Sequence, residues 1–349
     1  MVGGAGLLHV AGLGALLAGC RRGYMPDVDA GAWQPAYAAL EERGELQRRI
    51  EEVHAILESC ELCPRLCGVN RLRGEVGFCR TPQKVVVHSY NPHFGEELPL
   101  VGATGSGTIF FSHCNLRCVF CQNYPIAHLG WGQECSDEEL ATMMLRLQEM
   151  GCPNINLVTP THVLPHILSA TRIAYQKGLR LPLCYNTSGY ERVEVIKLLE
   201  GIVDIYLPDL KFMDGEQASR YNLAAADDYP DLAQEAIIEM HRQVGDLVTD
   251  RQGVALRGLM VRHLVMPNQV AGTEEFVQWV AQHLSVDTYV NIMSQYRVAF
   301  MAFEYEQIAR AVTAAEFVDA MEWALAAGLK NLDRRSLANL DSARAQLGL

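Results

Sequence analysis

The sequence lacks the excess of basic residues that a broad nucleic-acid-binding surface needs. It contains 29 lysines and arginines against 41 aspartates and glutamates, which gives a formal net charge of −12. A surface of this sign repels a phosphate backbone, so a broad nucleic-acid-binding face is excluded. A local basic pocket that binds a carboxylate remains compatible with this composition.

The chain also lacks repeats and low-complexity tracts, and glycine and proline are not in excess. Hydrophobic residues make up 49% of its 349 residues. A chain of this length and composition buries one large core, or one core and a smaller domain.

Positive charge is missing from the first ten residues, where a signal peptide would begin with lysine or arginine. The apolar stretch 3–19 is too short for a comfortable transmembrane helix. Nevertheless, Leu17-Ala-Gly-Cys20 resembles a bacterial lipoprotein processing site. We set residues 1–30 apart as an apolar leader or disordered start. We expect a cytoplasmic protein, with a lipid anchor as the alternative, and leave membrane association open.

Cysteine, in contrast, is abundant and unevenly distributed. Seven of the eleven cysteines lie in two tight clusters, at 60–79 and at 114–121. Clustered thiols at short spacings favour metal binding in a reducing compartment over scattered disulfides.

The second cluster reads Cys114-Asn-Leu-Arg-Cys118-Val-Phe-Cys121. Thiolates are soft ligands that suit iron–sulfur clusters or zinc. Three thiolates would hold three irons of a four-iron cluster and leave the fourth open for a substrate, as catalytic zinc keeps one position open. The alternative is a structural zinc site or a group of buried cysteines.

The first cluster supplies four thiols, Cys60, Cys63, Cys67 and Cys79, within a segment rich in proline and glycine. Loops therefore present these ligands, and a predicted helix over 36–59 precedes them. A loop-rich segment with little core of its own needs a metal to stabilise it. Structural zinc, a second iron–sulfur cluster and free thiols all remain open.

From residue 105 onward, apolar runs alternate with helical patterns. The runs predict six strands, at 108–112, 154–158, 181–185, 202–207, 259–266 and 288–293. Capping boxes at Ser136, Ser188 and Thr313 predict helix starts. Strands that alternate with helices form parallel βα units, and six of them favour an open six-stranded barrel. The periodicities alone also fit a doubly wound sheet. We divide the chain into a helix and Cys₄ module at 31–104, a barrel at 105–310 and a helical segment at 311–349.

Polar side chains follow these strands at the same end. They are Thr159 and Thr161 after the second strand, Asn186 after the third, Asp209 and Lys211 after the fourth, and Arg262 on the fifth. The carboxyl ends of parallel strands carry the chemistry of βα barrels, which predicts one shared site. Asp209 and Lys211 could instead form a plain surface ion pair.

Several strings resemble known radical S-adenosylmethionine (SAM) enzymes. The run Cys114–Cys121 matches their CxxxCxxC signature, and Asp209-Leu-Lys211 followed by Arg262-His-Leu-Val-Met-Pro267 is similar to the pattern of pyruvate formate-lyase activating enzymes. The segments 60–67, 105–112 and 154–162 resemble uncharacterised activating-enzyme-related proteins of that superfamily. The resemblance covers about residues 55–310.

The resemblance implies an α/β fold with a partial (βα)₆ barrel and a [4Fe–4S] cluster on Cys114, Cys118 and Cys121. In that superfamily the fourth iron chelates SAM, and an electron from the cluster cleaves SAM to methionine and a 5′-deoxyadenosyl radical. The radical would abstract hydrogen from an unidentified protein or small molecule, and a glycyl-radical enzyme is one such substrate. A reductant such as flavodoxin or ferredoxin would supply the electron. The rival hypothesis is an electron-transfer or zinc-scaffold protein that does not cleave SAM.

Roles for the polar residues follow from the same resemblance. Asn186 would approach the SAM ribose, and Asp209 and Lys211 would lie near the methionine moiety or the substrate. Arg262 would pair with a carboxylate, to which a guanidinium binds in bidentate geometry.

One motif departs from the family pattern. Activating enzymes hold the SAM amine with a GGEP run, and the aligned stretch here is Thr159-Pro-Thr161-His162, which has no carboxylate. The Thr161 hydroxyl and backbone carbonyls, including that of Thr159, are therefore the expected acceptors for the ammonium group.

Overall fold

The computed structural model describes residues 33–349, so the leader and its Leu17–Cys20 site lie outside the described residues. Within 33–349, no helix is both long enough and apolar enough to cross a bilayer.

The described residues form α-helices and β-strands in a largely alternating order. The helices are α1 Ala36–Glu42, α2 Glu45–Ala55, α3 Leu98–Val101, α4 Tyr124–Ala127, α5 Asp137–Glu149, α6 Leu164–Gln176, α7 Val193–Lys197, α8 Gly215–Arg220, α9 Tyr229–Val244, α10 Thr273–His283, α11 Ala314–Ala326 and α12 Arg334–Leu347. The strands are β1 Val85–His93, β2 Ser106–Phe111, β3 Gln133–Cys135, β4 Ile155–Val158, β5 Leu183–Thr187, β6 Ile205–Pro208, β7 Val248–Thr249, β8 Ala255–Leu264 and β9 Tyr289–Met293.

Six of these strands are parallel neighbours, in the order β2, β4, β5, β6, β8 and β9. In the described chain no pairing joins β9 back to β2, so the barrel stays open between its first and last strands. Strands β1, β3 and β7 extend the sheet in antiparallel orientation. The predicted partial six-stranded barrel is confirmed, and each of the six predicted strands overlaps an observed one.

The strands form where the apolar runs are, because both faces of the sheet are covered. All five residues of β5 are buried, and α5, α6, α9 and α10 pack their apolar faces on the outside of the barrel. The capping boxes at Ser136 and Thr313 are both present, with reciprocal hydrogen bonds to Glu139 and Glu316. Strand β1, which falls in the predicted N-terminal module, belongs to the same sheet as β2.

Two local predictions were wrong. The helix predicted over 36–59 is broken between α1 and α2 at Gly44, whose φ of 73° is left-handed, and it ends in a 3₁₀ turn at Ile56–Ser59. The capping box predicted at Ser188 does not form, because α7 begins only at Val193 and the Glu191 side chain is fully buried.

The amino-terminal end of the barrel interior is closed by apolar side chains. Leu100, on the short helix α3, packs inside the barrel against a small buried cluster made of Cys184, Ile205, Leu207, Ala255, Met260 and Tyr289. The polar residues Asn186, Asp209 and Arg262 follow Cys184, Leu207 and Met260 of this cluster in the chain, so they lie nearer the carboxyl ends of the strands.

Candidate active site

The loop after β2 that contains Cys114, Cys118 and Cys121 is fixed by backbone hydrogen bonds to two distant segments. The Val119 amide donates to the carbonyl of Tyr221 at 2.9 Å, and the Met301 amide donates to the carbonyl of Val119 at 2.9 Å. His113 and Arg117, which flank Cys114, have left-handed φ angles of 75° and 58°. Such backbone conformations persist only where the surrounding structure imposes them.

The three thiols of this loop are reduced, and Cys114 and Cys118 are buried while Cys121 is half-buried. Burial raises the pKa of all three, that of Cys121 to about 12. Backbone amides point at the sulfurs, since Leu116 N–H lies 3.4 Å from Cys114 Sγ. Such donors stabilise thiolates. A buried thiol loses its proton readily only beside a cation or when it binds a metal.

A charged network lies beside these thiols, at the carboxyl ends of β6 and β8. The Asp209 carboxylate accepts from Arg262 Nε at 2.7 Å and from Lys211 Nζ, while Arg262 Nη2 donates to Asn186 Oδ1 at 2.6 Å. Four predicted site residues from three strands thus meet in one place. Their side chains are largely buried, so the Asp209–Lys211 pair is not a plain surface ion pair.

The charges of this network sustain one another. Burial by itself would raise the pKa of Asp209, but the adjacent Arg262 and Lys211 hold it below its usual range. Burial would lower the pKa of Lys211, and Asp209 raises it above its usual range. Lys211 also lowers the pKa of Cys114, Cys118 and Cys121 against the effect of burial, so it is a cation that acts on all three thiols.

Thr159 and Thr161 occupy different surroundings. Thr159 has a left-handed φ of 61°, and its amide donates to the carbonyl of Asn186 at 2.9 Å. Thr161 is buried, and its hydroxyl donates to Glu191 Oε1 at 2.5 Å, which leaves only its oxygen lone pairs as acceptors. Burial raises the pKa of Glu191 to about 7 against its hydrogen bonds from the Thr161 and Thr187 hydroxyls.

The other four predicted ligands lie close to the loop that contains Cys114, Cys118 and Cys121. They are Cys60, Cys63, Cys67 and Cys79. Cys60, Cys63 and Cys79 are buried and Cys67 is half-buried, and all four are reduced. Their sulfurs also receive donors: the amide of Phe78 lies 3.4 Å from Cys67 Sγ, and the hydroxyl of Thr81 lies 3.1 Å from Cys79 Sγ.

The N-terminal segment packs directly on the loop that follows β2. The Arg65 guanidinium lies 4.2 Å from the centre of the Phe78 ring and donates to the carbonyl of Asn115 at 3.0 Å. Cys79 raises the pKa of Cys114, after the larger effect of burial, so the two sets of thiols are near enough to interact electrostatically. Within residues 33–349, no three His, Cys, Asp or Glu side chains converge closely enough to hold a single metal ion.

Sequence reasoning missed three buried carboxylates, Glu96, Glu97 and Glu191. Glu96 and Glu97 precede α3 and reach into the barrel interior, where Glu96 Oε2 lies 3.7 Å from Arg262 Nη1. The local sequence Gly-Glu-Glu-Leu-Pro resembles an exposed turn, and only the path of the chain across the barrel shows otherwise. The sequence gives no separate signal for Glu191, which stands three residues after Ser188 as the glutamate of a capping box would.

The open six-stranded barrel, with three cysteines after its first strand and a charged network beside them, defines the class of SAM-cleaving radical enzymes. A family model, the Radical SAM superfamily, matches residues 108–280. An uncharacterized protein of Methanocaldococcus jannaschii is 32% identical over 289 residues, which are 80% of this chain and 78% of that protein. A second uncharacterized protein of the same organism is 27% identical over 171 residues, or 44% and 49% of the two chains. This chain belongs to the radical SAM superfamily.

Proposed function

We propose that this chain cleaves SAM reductively at a [4Fe–4S] cluster held by Cys114, Cys118 and Cys121, and that the resulting 5′-deoxyadenosyl radical abstracts hydrogen from a substrate in the barrel. The main support is the position of these three reduced thiols at the carboxyl end of β2, next to the buried network around Asp209. A cluster bound there supplies the electron that breaks the sulfonium bond of SAM.

The residues of the loop fit such a cluster. The loop supplies three soft sulfur ligands, an amide donor lies against Cys114 Sγ, and the charge of Lys211 favours the thiolates. Hydrogen bonds to the sulfurs and burial are also the means by which proteins set the reduction potential of a cluster.

The geometry refines the roles assigned to the polar residues. Arg262 already binds Asp209 and Asn186, whereas Lys211 has one carboxylate partner and three donors to offer. We assign Lys211 to the SAM carboxylate, with Arg262 and Asp209 fixing its position. Asn186 would contact the ribose, and the backbone near Thr159 with the Thr161 oxygen would accept from the ammonium.

Anaerobic reconstitution tests this function. The protein incubated with SAM and dithionite should release 5′-deoxyadenosine, and Cys118→Ala should abolish the release while the barrel stays folded, because its core does not depend on that ligand. Cys152→Ala, which removes a buried cysteine outside both clusters, is the matched control. Continued SAM cleavage by the Cys118→Ala protein would refute the assignment.

A second metal centre on Cys60, Cys63, Cys67 and Cys79 is part of the proposal. It is supported by four reduced thiols in a loop-rich segment. Three of them accept hydrogen bonds, Cys63 from the Arg65 amide, Cys67 from the Phe78 amide and Cys79 from the Thr81 hydroxyl. An iron–sulfur cluster and a structural zinc are the two candidates for this centre. Either would have to draw the four sulfurs together on binding, because no three of them converge on one point in the described residues.

The substrate and partners are further predictions. Radical SAM enzymes require a one-electron donor, for which flavodoxin or ferredoxin is the expected partner in the cytoplasm. Activation of a glycyl-radical enzyme is one form of the proposed reaction. Anaerobic incubation with pyruvate formate-lyase tests it, since activation would produce the electron paramagnetic resonance signal of a glycyl radical.

A further inference from the structure

A cavity of about 340 Å³ opens beside the proposed SAM site, between the segment 95–97, strand β9 and helix α12. Its outer part is formed by exposed residues, Gly95, Gln295 and Asn339, and its inner part by Glu97 and Arg262. This volume is at the lower end of the range for ligand pockets, which suits a small molecule or a single side chain. Arg262 belongs both to the cavity wall and to the charged network around Asp209, so the inner end of the cavity lies next to that network.

Glu97 is the unusual residue of this cavity. It is 3% exposed, and Asn291 Nδ2 donates to its Oε1 at 2.8 Å, but its Oε2 has no hydrogen-bond partner among the described residues. An unsatisfied buried acceptor is unfavourable, and more so when it is charged. No group of the described residues donates to Oε2.

The neighbouring cations donate their hydrogen bonds elsewhere. Arg262 acts on Glu97 through its charge, but it donates to Asp209 and Asn186, and Lys211 donates to Asp209. Glu96, the other carboxylate of the cavity, faces Arg262 and His93 at 3.7 and 3.5 Å. At the outer end, the Arg335 guanidinium donates to the carbonyls of Phe94 and Gly95.

We infer that this cavity binds the cationic end of the substrate, a primary ammonium or guanidinium group, on Glu97 Oε2. A cation bearing N–H groups satisfies the acceptor Oε2 and forms a charge-assisted hydrogen bond with it, whereas a carboxylate ligand has no donor to offer this atom. The inference rests on the proposed function, because the cavity gains its meaning as a substrate site from the adjacent radical chemistry. The cation could belong to a free amine or to a lysine or arginine side chain of a peptide.

Calorimetry on the anaerobically reconstituted, SAM-loaded protein tests the inference. Agmatine and putrescine serve as free cations, acetyl-Gly-Arg-Gly-amide as a side-chain source, and glutarate and 1-pentanol as the anionic and neutral comparisons. At least one cationic probe should bind tenfold or more tightly than glutarate and 1-pentanol. Tighter binding of agmatine or putrescine than of the peptide would identify a small amine, and the reverse order a peptide side chain.

Two variants separate the role of Glu97 from a general loss of charge. Glu97→Gln keeps the shape of the side chain and should weaken binding of the cation at least tenfold. Glu239→Gln removes a carboxylate on α9 that pairs with Arg242 outside the barrel, and it should leave the affinity unchanged. A melting curve for each variant checks the fold.

Three results would overturn the inference: binding of none of the cationic probes, equal affinity of the wild-type protein for cations and glutarate, or unchanged affinity for the cation in a folded Glu97→Gln protein. Release of 5′-deoxyadenosine by the same wild-type preparation is measured separately, so a failure of the proposed function is distinguishable from a failure of this inference.

Discussion

At the scale of single residues, the site depends on one carboxylate that holds two cations. Asp209 binds both Arg262 and Lys211, and all three side chains are largely withdrawn from water. Removing one partner of a buried ion pair leaves an uncompensated charge. The cations differ in function, because Arg262 is bound on two sides while Lys211 keeps donors free and acts on the thiols.

Lys211→Ala should therefore weaken SAM binding even in protein that remains folded. Losing one charge-assisted contact costs about 1.5–3 kcal/mol, which is about ten- to hundredfold in affinity. Calorimetry of SAM on the cluster-loaded protein measures the effect, and Lys197→Ala, an exposed lysine on α7, is the control. Unchanged affinity in the Lys211→Ala protein would show that another group receives the SAM carboxylate.

Gly189 lies against the backbone carbonyl of Asp209. A β-carbon at this position would lie 2.3 Å from the carbonyl oxygen of Asp209, and its φ is 82°. Gly189→Ala should shift the Asp209 backbone and reduce 5′-deoxyadenosine formation at least tenfold. Gly178→Ala is the matched control, because its φ of 108° imposes backbone strain with no atom within 4 Å. Equal activity of the two variants would mean that the Asp209 backbone tolerates the displacement.

At the scale of elements, long-range polar contacts join segments that the sequence separates widely. Asp204, just before β6, accepts from the amide of Ala36 at 2.8 Å and from that of Leu183 at 3.0 Å. It thereby fixes the start of α1 to the start of β5. Burial raises the pKa of Asp204 to about 7 despite these two hydrogen bonds.

This raised pKa predicts how stability changes with pH. The folded protein binds the Asp204 proton more tightly than the unfolded chain, so the contribution to stability is complete below about pH 4 and is lost as pH rises to about 7. Urea denaturation of wild type and Asp204→Asn from pH 4 to pH 8 measures it. The wild type should lose stability relative to the variant as pH rises, and a constant difference would contradict the raised pKa.

The sequence predicts the elements better than it predicts the site. Apolar runs located all six parallel strands, because strands covered on both faces need continuous apolar residues. The helix start predicted from the capping box at Ser188 was wrong, because a serine and a glutamate three residues apart cap a helix only when the helix begins directly after the serine. Glu97 could not be predicted, because its neighbour Asn291 is 194 positions away and only the closed fold brings them together.

At the scale of the whole molecule, two sets of cysteines from separate parts of the chain meet in one region. The 60–79 segment packs on the loop that carries Cys114, with Arg65 and Phe78 at the contact. The barrel has a large core of its own, whereas the segment around Cys67 consists mainly of loops and short turns. Metal binding should therefore contribute differently to the stability of the two parts.

Two multiple variants separate the centres. The triple variant with Cys114, Cys118 and Cys121 replaced by alanine should retain iron or zinc on the N-terminal cysteines, lose SAM cleavage and keep the barrel folded. The quadruple variant with Cys60, Cys63, Cys67 and Cys79 replaced should retain an iron–sulfur cluster and lose several kcal/mol of stability, because binding a structural metal is coupled to folding of the loops around it. Metal analysis and thermal denaturation of both proteins, prepared anaerobically beside wild type, measure these outcomes. A triple variant without metal would mean that the four N-terminal cysteines are free thiols and that the segment is stabilised by its contacts with the barrel alone.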